Sequence, residues 1–274
     1  MFYTIANKYQ IIEQIGEGSF GKVFRGKHIR TDEEIAIKIQ YKSIVNVLQH
    51  EAKIYKQLFN IEGIPLLRNY GYDQGFHYLI IEQLDIPLDK TEIDKTMCIK
   101  YFIQALIIIE DIHKVGILHR DIKPDNFMIK ERNSKLFMID YGLSKRFIDV
   151  SGNHIEAKTD KKMIGTIKYA SLNIHNGLES SRRDDIESLC FTFISLFGKI
   201  LPWNELCNNN KKSSDDIDYV NEIKIKKEAL ESFLDIPGEF LTILLYCRKL
   251  KFSEKPNYNY IRIMLDNFLN MDIN

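Results

Sequence analysis

The sequence predicts an α+β fold in two lobes, a small β-rich N-terminal lobe with one helix and a larger, mainly helical C-terminal lobe. Three observations lead there. Apolar and polar residues alternate with period two in short stretches up to Glu82. Helical spacing dominates from Lys95 onward. The run Lys95 to Val115 is apolar on nearly all faces, which marks a helix buried inside a sizeable core. A chain of 274 residues is long enough for two such lobes.

The elements follow in order. Tyr9 to Glu17 and Lys22 to Ile29 read as strands flanking a glycine-bearing turn, and Glu34 to Tyr41 places Ile35, Ile37 and Ile39 on one face. Short turns between them predict an antiparallel meander. Ser43 to Phe59 carries Ile44, Val47, Leu48, Ile54, Tyr55 and Leu58 at helical spacing before Pro65, so one helix is expected. Leu66 to Tyr72 and Phe76 to Glu82 are two further strands around Asp73-Gln74-Gly75. The join falls near Gln83 to Pro87, giving lobes of about 1–84 and 85–274. In the second lobe, short strands bracket Asn133-Ser134. Helices are expected at Asp185 to Phe197, Glu239 to Leu250 and Tyr260 to Leu269, with a polar loop over Cys207 to Asp218.

Composition narrows the function classes. Thirty-eight basic residues balance thirty-eight acidic ones, which gives no reason to expect a nucleic-acid or membrane-surface partner. Cys98, Cys190, Cys207 and Cys247 are far apart and fit reduced thiols better than a disulfide framework or a zinc site. With no signal-peptide core and no apolar run of membrane length, an intracellular protein of cytoplasm or nucleus is expected, working as a monomer.

Gly16-Glu-Gly18-Ser-Phe-Gly21-Lys-Val23 is G-x-G-x-x-G-x-V. Glycines there let backbone amides approach phosphates that side chains would block. A strand, not a helix, follows the last glycine, which favours a flap over a nucleotide rather than a dinucleotide fold. Ile35-Ala-Ile-Lys38 puts a lysine opposite the isoleucine face. A lysine that must bind phosphates needs a carboxylate to hold it, and Glu51 on the following helix is the candidate. His119-Arg-Asp121-Ile-Lys123-Pro-Asp-Asn126 matches H-R-D-x-x-x-x-N, and Asp140-Tyr-Gly follows a short hairpin. In that pattern Asp121 accepts the proton of an attacking hydroxyl, Lys123 neutralises the transferring phosphoryl group, and Asn126 and Asp140 hold Mg²⁺.

These blocks together resemble a eukaryotic protein kinase. Within that superfamily the chain is most similar to the casein kinase 1 family. The narrower resemblance rests on HRDIKPDNF (His119 to Phe127), GTIKYASLN (Gly165 to Asn173), SRRDDIES (Ser181 to Ser188), Leu201-Pro-Trp203 and Lys255 to Tyr260. Ser171-Leu-Asn173 stands where most kinases have A-P-E.

The resemblance implies a bilobal serine/threonine kinase using ATP and Mg²⁺ on protein substrates that are acidic or already phosphorylated. It implies Ile81 as gatekeeper, with Glu82, Gln83 and Leu84 forming the hinge that meets adenine, and Ile15, Val23 and Ala36 as the roof over the base. Asp185 would open the large central helix and anchor the catalytic-loop backbone. Lys168 matches an arginine of the family's anion-reading pocket, and a second lysine falls near Lys211-Lys212. The stretch from Lys145 to Arg183 holds eight basic residues against four acidic ones, enough to steer an anionic peptide. Tyr141 departs from the usual phenylalanine, and its hydroxyl needs a polar partner if buried. Two rival classes share parts of this pattern: a pseudokinase scaffold, and a small-molecule kinase, against which Gly165 to Tyr169 argues.

Overall fold

The structure, a computed structural model, describes residues 3–18, 21–41, 46–208, 216–229 and 236–271. The chain divides into two compact units, residues 1–86 with 128–142, and residues 87–127 with 143–274.

The first unit is built on strands β1 (Thr4–Ile5), β2 (Tyr9–Gly18), β3 (Gly21–His28), β4 (Glu34–Tyr41), β5 (Leu67–Asp73) and β6 (Phe76–Glu82), with helix α1 (Val47–Gln57) between β4 and β5. The strands form one sheet in the order β1-β2-β3-β4-β6-β5, each neighbouring pair antiparallel. On one face Ile35, Ile37 and Ile39 pack with Ile5, Tyr9, Phe76, Tyr78 and Ile80, all buried. Burying side chains of this size contributes about 1.5–3 kcal/mol each, which fixes the register: a slip by one residue would expose the whole set. The opposite face is thereby assigned to Val23, Ala36, Lys38 and Ile81, since Val23 pairs with Lys38 and Ala36 with Ile81. Helix α1 starts at Asn46, whose side chain accepts from Gln49 N at 2.9 Å. It buries Leu48, Glu51, Ala52, Ile54 and Tyr55, so a carboxylate lies on its inner face. The expected earlier start at Ser43 and Ile44 lies outside the described residues.

The unit boundary differs from the expected cut at 84/85. After strands β7 (Ile86–Pro87) and β8 (Ile117–Leu118), strands β9 (Phe127–Lys130) and β10 (Lys135–Met138) pair as a hairpin. Its far end bonds to the first unit: Met138 N donates to Gly63 O at 2.8 Å and Glu131 N to Asp85 Oδ2 at 2.9 Å.

The second unit is mainly helical. Its long members are α2 (Lys95–Lys114), α4 (Arg182–Leu196), α6 (Ile217–Glu228), α7 (Gly238–Lys249) and α8 (Tyr258–Met271), with short helices α3 (Leu172–His175) and α5 (Asn204–Cys207). Strand β11 (Lys145–Arg146) pairs with β8. Phe102 of α2 stacks on Phe193 of α4 at 4.7 Å and on Phe240 of α7 at 5.6 Å, so α2 is buried as its composition requires. Helix α4 opens at Arg182, three residues before the expected Asp185. Ser181 caps it in a reciprocal box with Asp184. Helix α6 follows the polar stretch and was not expected. No helix among the described residues is long and apolar enough to cross a membrane.

Candidate active site

In the first unit, Lys38 projects from β4 on the face opposite the isoleucines. Its Nζ donates to Glu51 Oε2 at 2.9 Å and to Asp140 Oδ1 at 3.0 Å. Burial acts against the ammonium, but the two carboxylates outweigh it and hold the group charged beyond the ordinary lysine range. Glu51 is almost fully buried at 2% side-chain exposure, while Asp140 keeps 33%. Glu51 therefore acts as the fixed anchor of Lys38, and Asp140 is the partner that solvent or a ligand can reach. Asp140 adopts φ of +64°, a strained position for a non-glycine residue that fixes the direction of its carboxylate. The Tyr141 hydroxyl, fully buried, donates to Met138 O at 3.1 Å, and the ring meets Tyr55 edge-on at 5.0 Å. The extra oxygen of this aspartate-tyrosine-glycine motif is thus satisfied.

The three flap glycines divide. Gly18 has open space where a Cβ would stand, and a Cβ on Gly16 would make only ordinary contact with Val23 at 3.7 Å. Gly21 has φ of +144°, and a Cβ there would lie 1.9 Å from Ile39 O. Strand β4 by itself therefore requires glycine at this position. Ile15 is exposed, and Val23, Ala36 and Ile81 are half-buried on the Lys38 face. At the end of β6, the Glu82 side chain is bound to Lys130 and accepts from Leu66 N at 3.2 Å. Gln83 Nε2 donates to Leu84 O at 2.6 Å, and Leu84 is buried.

In the second unit, Asp121 is held on both oxygens. Oδ1 accepts from Thr166 N at 2.8 Å and from Thr166 Oγ1 at 2.7 Å. Oδ2 lies 3.0 Å from Lys123 Nζ, which also donates to Thr166 Oγ1 at 3.2 Å. Asn126 Nδ2 donates to Asp121 O at 2.7 Å, so its amide nitrogen is engaged and its carboxamide oxygen is left as the acceptor. Gly165 permits this closure: a Cβ at its φ of +79° would stand 2.4 Å from Arg120 O. Beneath the loop, Asp185 accepts from His119 N at 2.8 Å and Arg120 N at 2.9 Å, and from His113 Nε2 at 3.0 Å. The Tyr258 hydroxyl lies 2.7 Å from His113 Nδ1. Burial opposes charge on both His113 and Asp185, and hydrogen bonds keep only the carboxylate ionised below its usual range. A neutral ring with Nε2–H donating and Nδ1 accepting satisfies all three groups.

Lys168 stands apart from this cluster, with Nζ 5.3 Å above the Tyr169 ring. The local basic excess is less available than the sequence suggests. Lys145 and Lys161 both bind Glu179, at 2.9 and 3.3 Å, and Arg182 and Arg183 donate to the carbonyls of Ser253 and Leu250. Lys211 and Lys212 lie outside the described residues. Thr166, His113 and Tyr258 are site residues that spacing alone did not reveal. Thr166 was visible only as a letter of the block that begins at Gly165.

Within their own units, Asp140 and Asn126 each offer hard oxygen donors of the kind Mg²⁺ takes, and Lys38 offers a compact positive charge of the kind that binds phosphate. A family model described as protein kinase domain matches residues 9–264, nearly the whole length of the sequence. The two clusters around Lys38 and Asp121 both fall inside that match, and the chain belongs to the protein kinase domain family.

Proposed function

We propose that this chain is a serine/threonine protein kinase of the casein kinase 1 type, transferring the γ-phosphoryl group of ATP to acidic or already phosphorylated proteins. The family itself implies protein phosphorylation. The observation that carries the finer reading is the Asp121 carboxylate, held by Thr166 on one oxygen and Lys123 on the other. Such a carboxylate is oriented to take a proton from a serine or threonine hydroxyl as it attacks. Lys123, beside it, stabilises negative charge on the group being transferred. A lysine two residues after the aspartate is the serine/threonine pattern of the superfamily.

Lys38, kept in place by Glu51, would bind the phosphates, with the amides around Gly16, Gly18 and Gly21 approaching them. Ile15, Val23, Ala36 and Ile81 would cover the adenine, and Glu82, Gln83 and Leu84 would meet its edge. Asp140 and Asn126 would hold Mg²⁺, which supplies charge neutralisation on the phosphates when bound. Lys168 would read the negative charge on the substrate's N-terminal side.

The test is phosphate transfer from labelled ATP to casein and to serine peptides, with and without Mg²⁺. Asp121→Asn should fold and bind ATP while turnover falls by about 10²–10⁴-fold. Wild-type turnover in that variant would remove Asp121 from the mechanism.

A further inference from the structure

Lys227 lies near the end of α6 with no exposed surface. Taking an ammonium out of water costs about several kcal/mol unless each of its hydrogens finds a partner. A methionine would fill the same volume without that cost, so the lysine is explained by what it donates to. Its Nζ donates to Ile167 O at 3.0 Å and to Ala170 O, and lies 3.1 Å from His175 Nε2. Two backbone carbonyls and one imidazole nitrogen thus surround the amine. The rings of Trp203 and Phe191 cover the charge at 4.8 and 5.0 Å.

Trp203 has a second task. Its Nε1 donates to Lys168 O at 2.8 Å. The carbonyls of residues 167, 168 and 170 are therefore all held from the interior of the second unit by two side chains. The same turn begins at Gly165-Thr166, where the Thr166 amide and hydroxyl fix Asp121, and it carries Lys168. From behind, Arg248 donates to Lys227 O at 2.8 Å and to Glu187 at 3.0 Å, bracing α6 against α4 and α7.

We infer that Lys227 and Trp203 form a buried clamp that positions the 165–171 turn, and through Thr166 the Asp121 carboxylate, for transfer to a polypeptide. The inference rests on the kinase reading above. Neither residue reaches the reacting atoms; both are positioning residues. Their contacts lead to the acceptor side of the reaction, so their loss should burden the peptide and spare the nucleotide.

Two readouts separate this from its alternatives. Hydrogen exchange followed by mass spectrometry needs no catalysis: Lys227→Met should speed exchange across residues 164–171 while α4 stays protected. Steady-state kinetics then tests the consequence. In Lys227→Met, kcat for a serine peptide should fall by about tenfold to a hundredfold, the range for misplaced catalytic groups, with the KM for ATP unchanged. Trp203→Phe keeps the ring and removes one donor, so it should raise the peptide KM and again leave ATP alone; it carries the test if Lys227→Met does not fold. Unchanged exchange and unchanged peptide kinetics overturn the clamp. Equal losses for peptide and ATP also overturn it, because they mark general damage. A wild-type protein that phosphorylates nothing defeats the kinase reading, while the exchange result still decides whether the turn is clamped.

Discussion

Two lysines, one in each unit, are withdrawn from water by different means. Lys38 is held between two carboxylates, and their field outweighs burial. Lys227 is held by carbonyls, a neutral imidazole and two aromatic rings, and burial pulls it down to about 7. Full countercharges make an ammonium permanent; dipoles and rings hold its geometry but leave its charge conditional. The first arrangement suits a residue that must meet phosphates. The second suits one whose work is to hold a backbone in place.

The largest effect should come from breaking the first arrangement. Lys38→Arg keeps a cation beside Glu51, so the fold should survive with a thermal midpoint near that of the wild type. A planar guanidinium does not reproduce the compact charge of an ammonium, and nearly all phosphate transfer should be lost. Transfer at the wild-type rate would show that any cation serves and that the Lys38 geometry is incidental.

A smaller effect distinguishes the two lysines by pH. Free lysine titrates near 10.4. Between pH 7 and that value, the unfolded chain binds a proton that folded Lys227 has released, so its contribution makes stability rise with pH. The slope is at most about 1.4 kcal/mol per pH unit for one proton. Below about 7 both states are protonated and the burial penalty is present in full. Lys38 has the opposite sign. Its folded pKa is raised, so its stabilisation is complete below the unfolded value and is lost only above it. Of the groups facing Lys227, burial pushes His175 down to about 3 and the Cys207 thiol up, away from this window. Glu187 is buried near Lys227 and each shifts the other's titration, so the difference between wild type and Lys227→Met reports the pair. Urea midpoints from pH 7 to 9 should climb more steeply in the wild type than in Lys227→Met. Parallel curves would show that Lys227 keeps its proton across the range.

Tyr141 shows a third way to satisfy a buried polar group, one neutral donor on one carbonyl. Tyr141→Phe keeps the ring against Tyr55 and removes the bond to Met138 O. The expected loss is about 1 kcal/mol, measured by chemical denaturation. A loss several times larger would mean that the hydroxyl braces more than this one turn.

The residues around Lys38 were legible because strand alternation is a strict rule: once Ile35, Ile37 and Ile39 face the core, Lys38 must face the other way. Asp121, Lys123 and Asn126 were legible because the chemistry fixes their spacing. Helix α6 was not, and its burial explains why. Ile217 and Ile225 are 74% and 65% exposed while Lys227 is fully buried, the reverse of what apolar periodicity assumes. The start of α4 was missed for a related reason. Asp184, Asp185 and Glu187 are charged, yet all three are buried and bonded to the loops and helices around them, and only for Asp185 did the resemblance imply such a tie. Gly21 shows the converse, a motif glycine whose immediate need is a neighbouring strand. Sequence patterns report the side chains that obey the solvent; apart from Asp185, the interior polar ties of the second unit leave no such pattern.

Trp203 is the chain's single tryptophan, fully buried, bonded to the Lys168 carbonyl and 4.8 Å below the Lys227 ammonium. All indole emission from this protein therefore originates at one point under the 165–171 turn. A molecule arriving at that turn changes the field and the hydrogen bond felt by one chromophore, with no other indole to dilute the signal. The protein thus carries its own optical probe, and stopped-flow fluorescence can time the arrival of a polypeptide separately from the chemistry that follows, without a label.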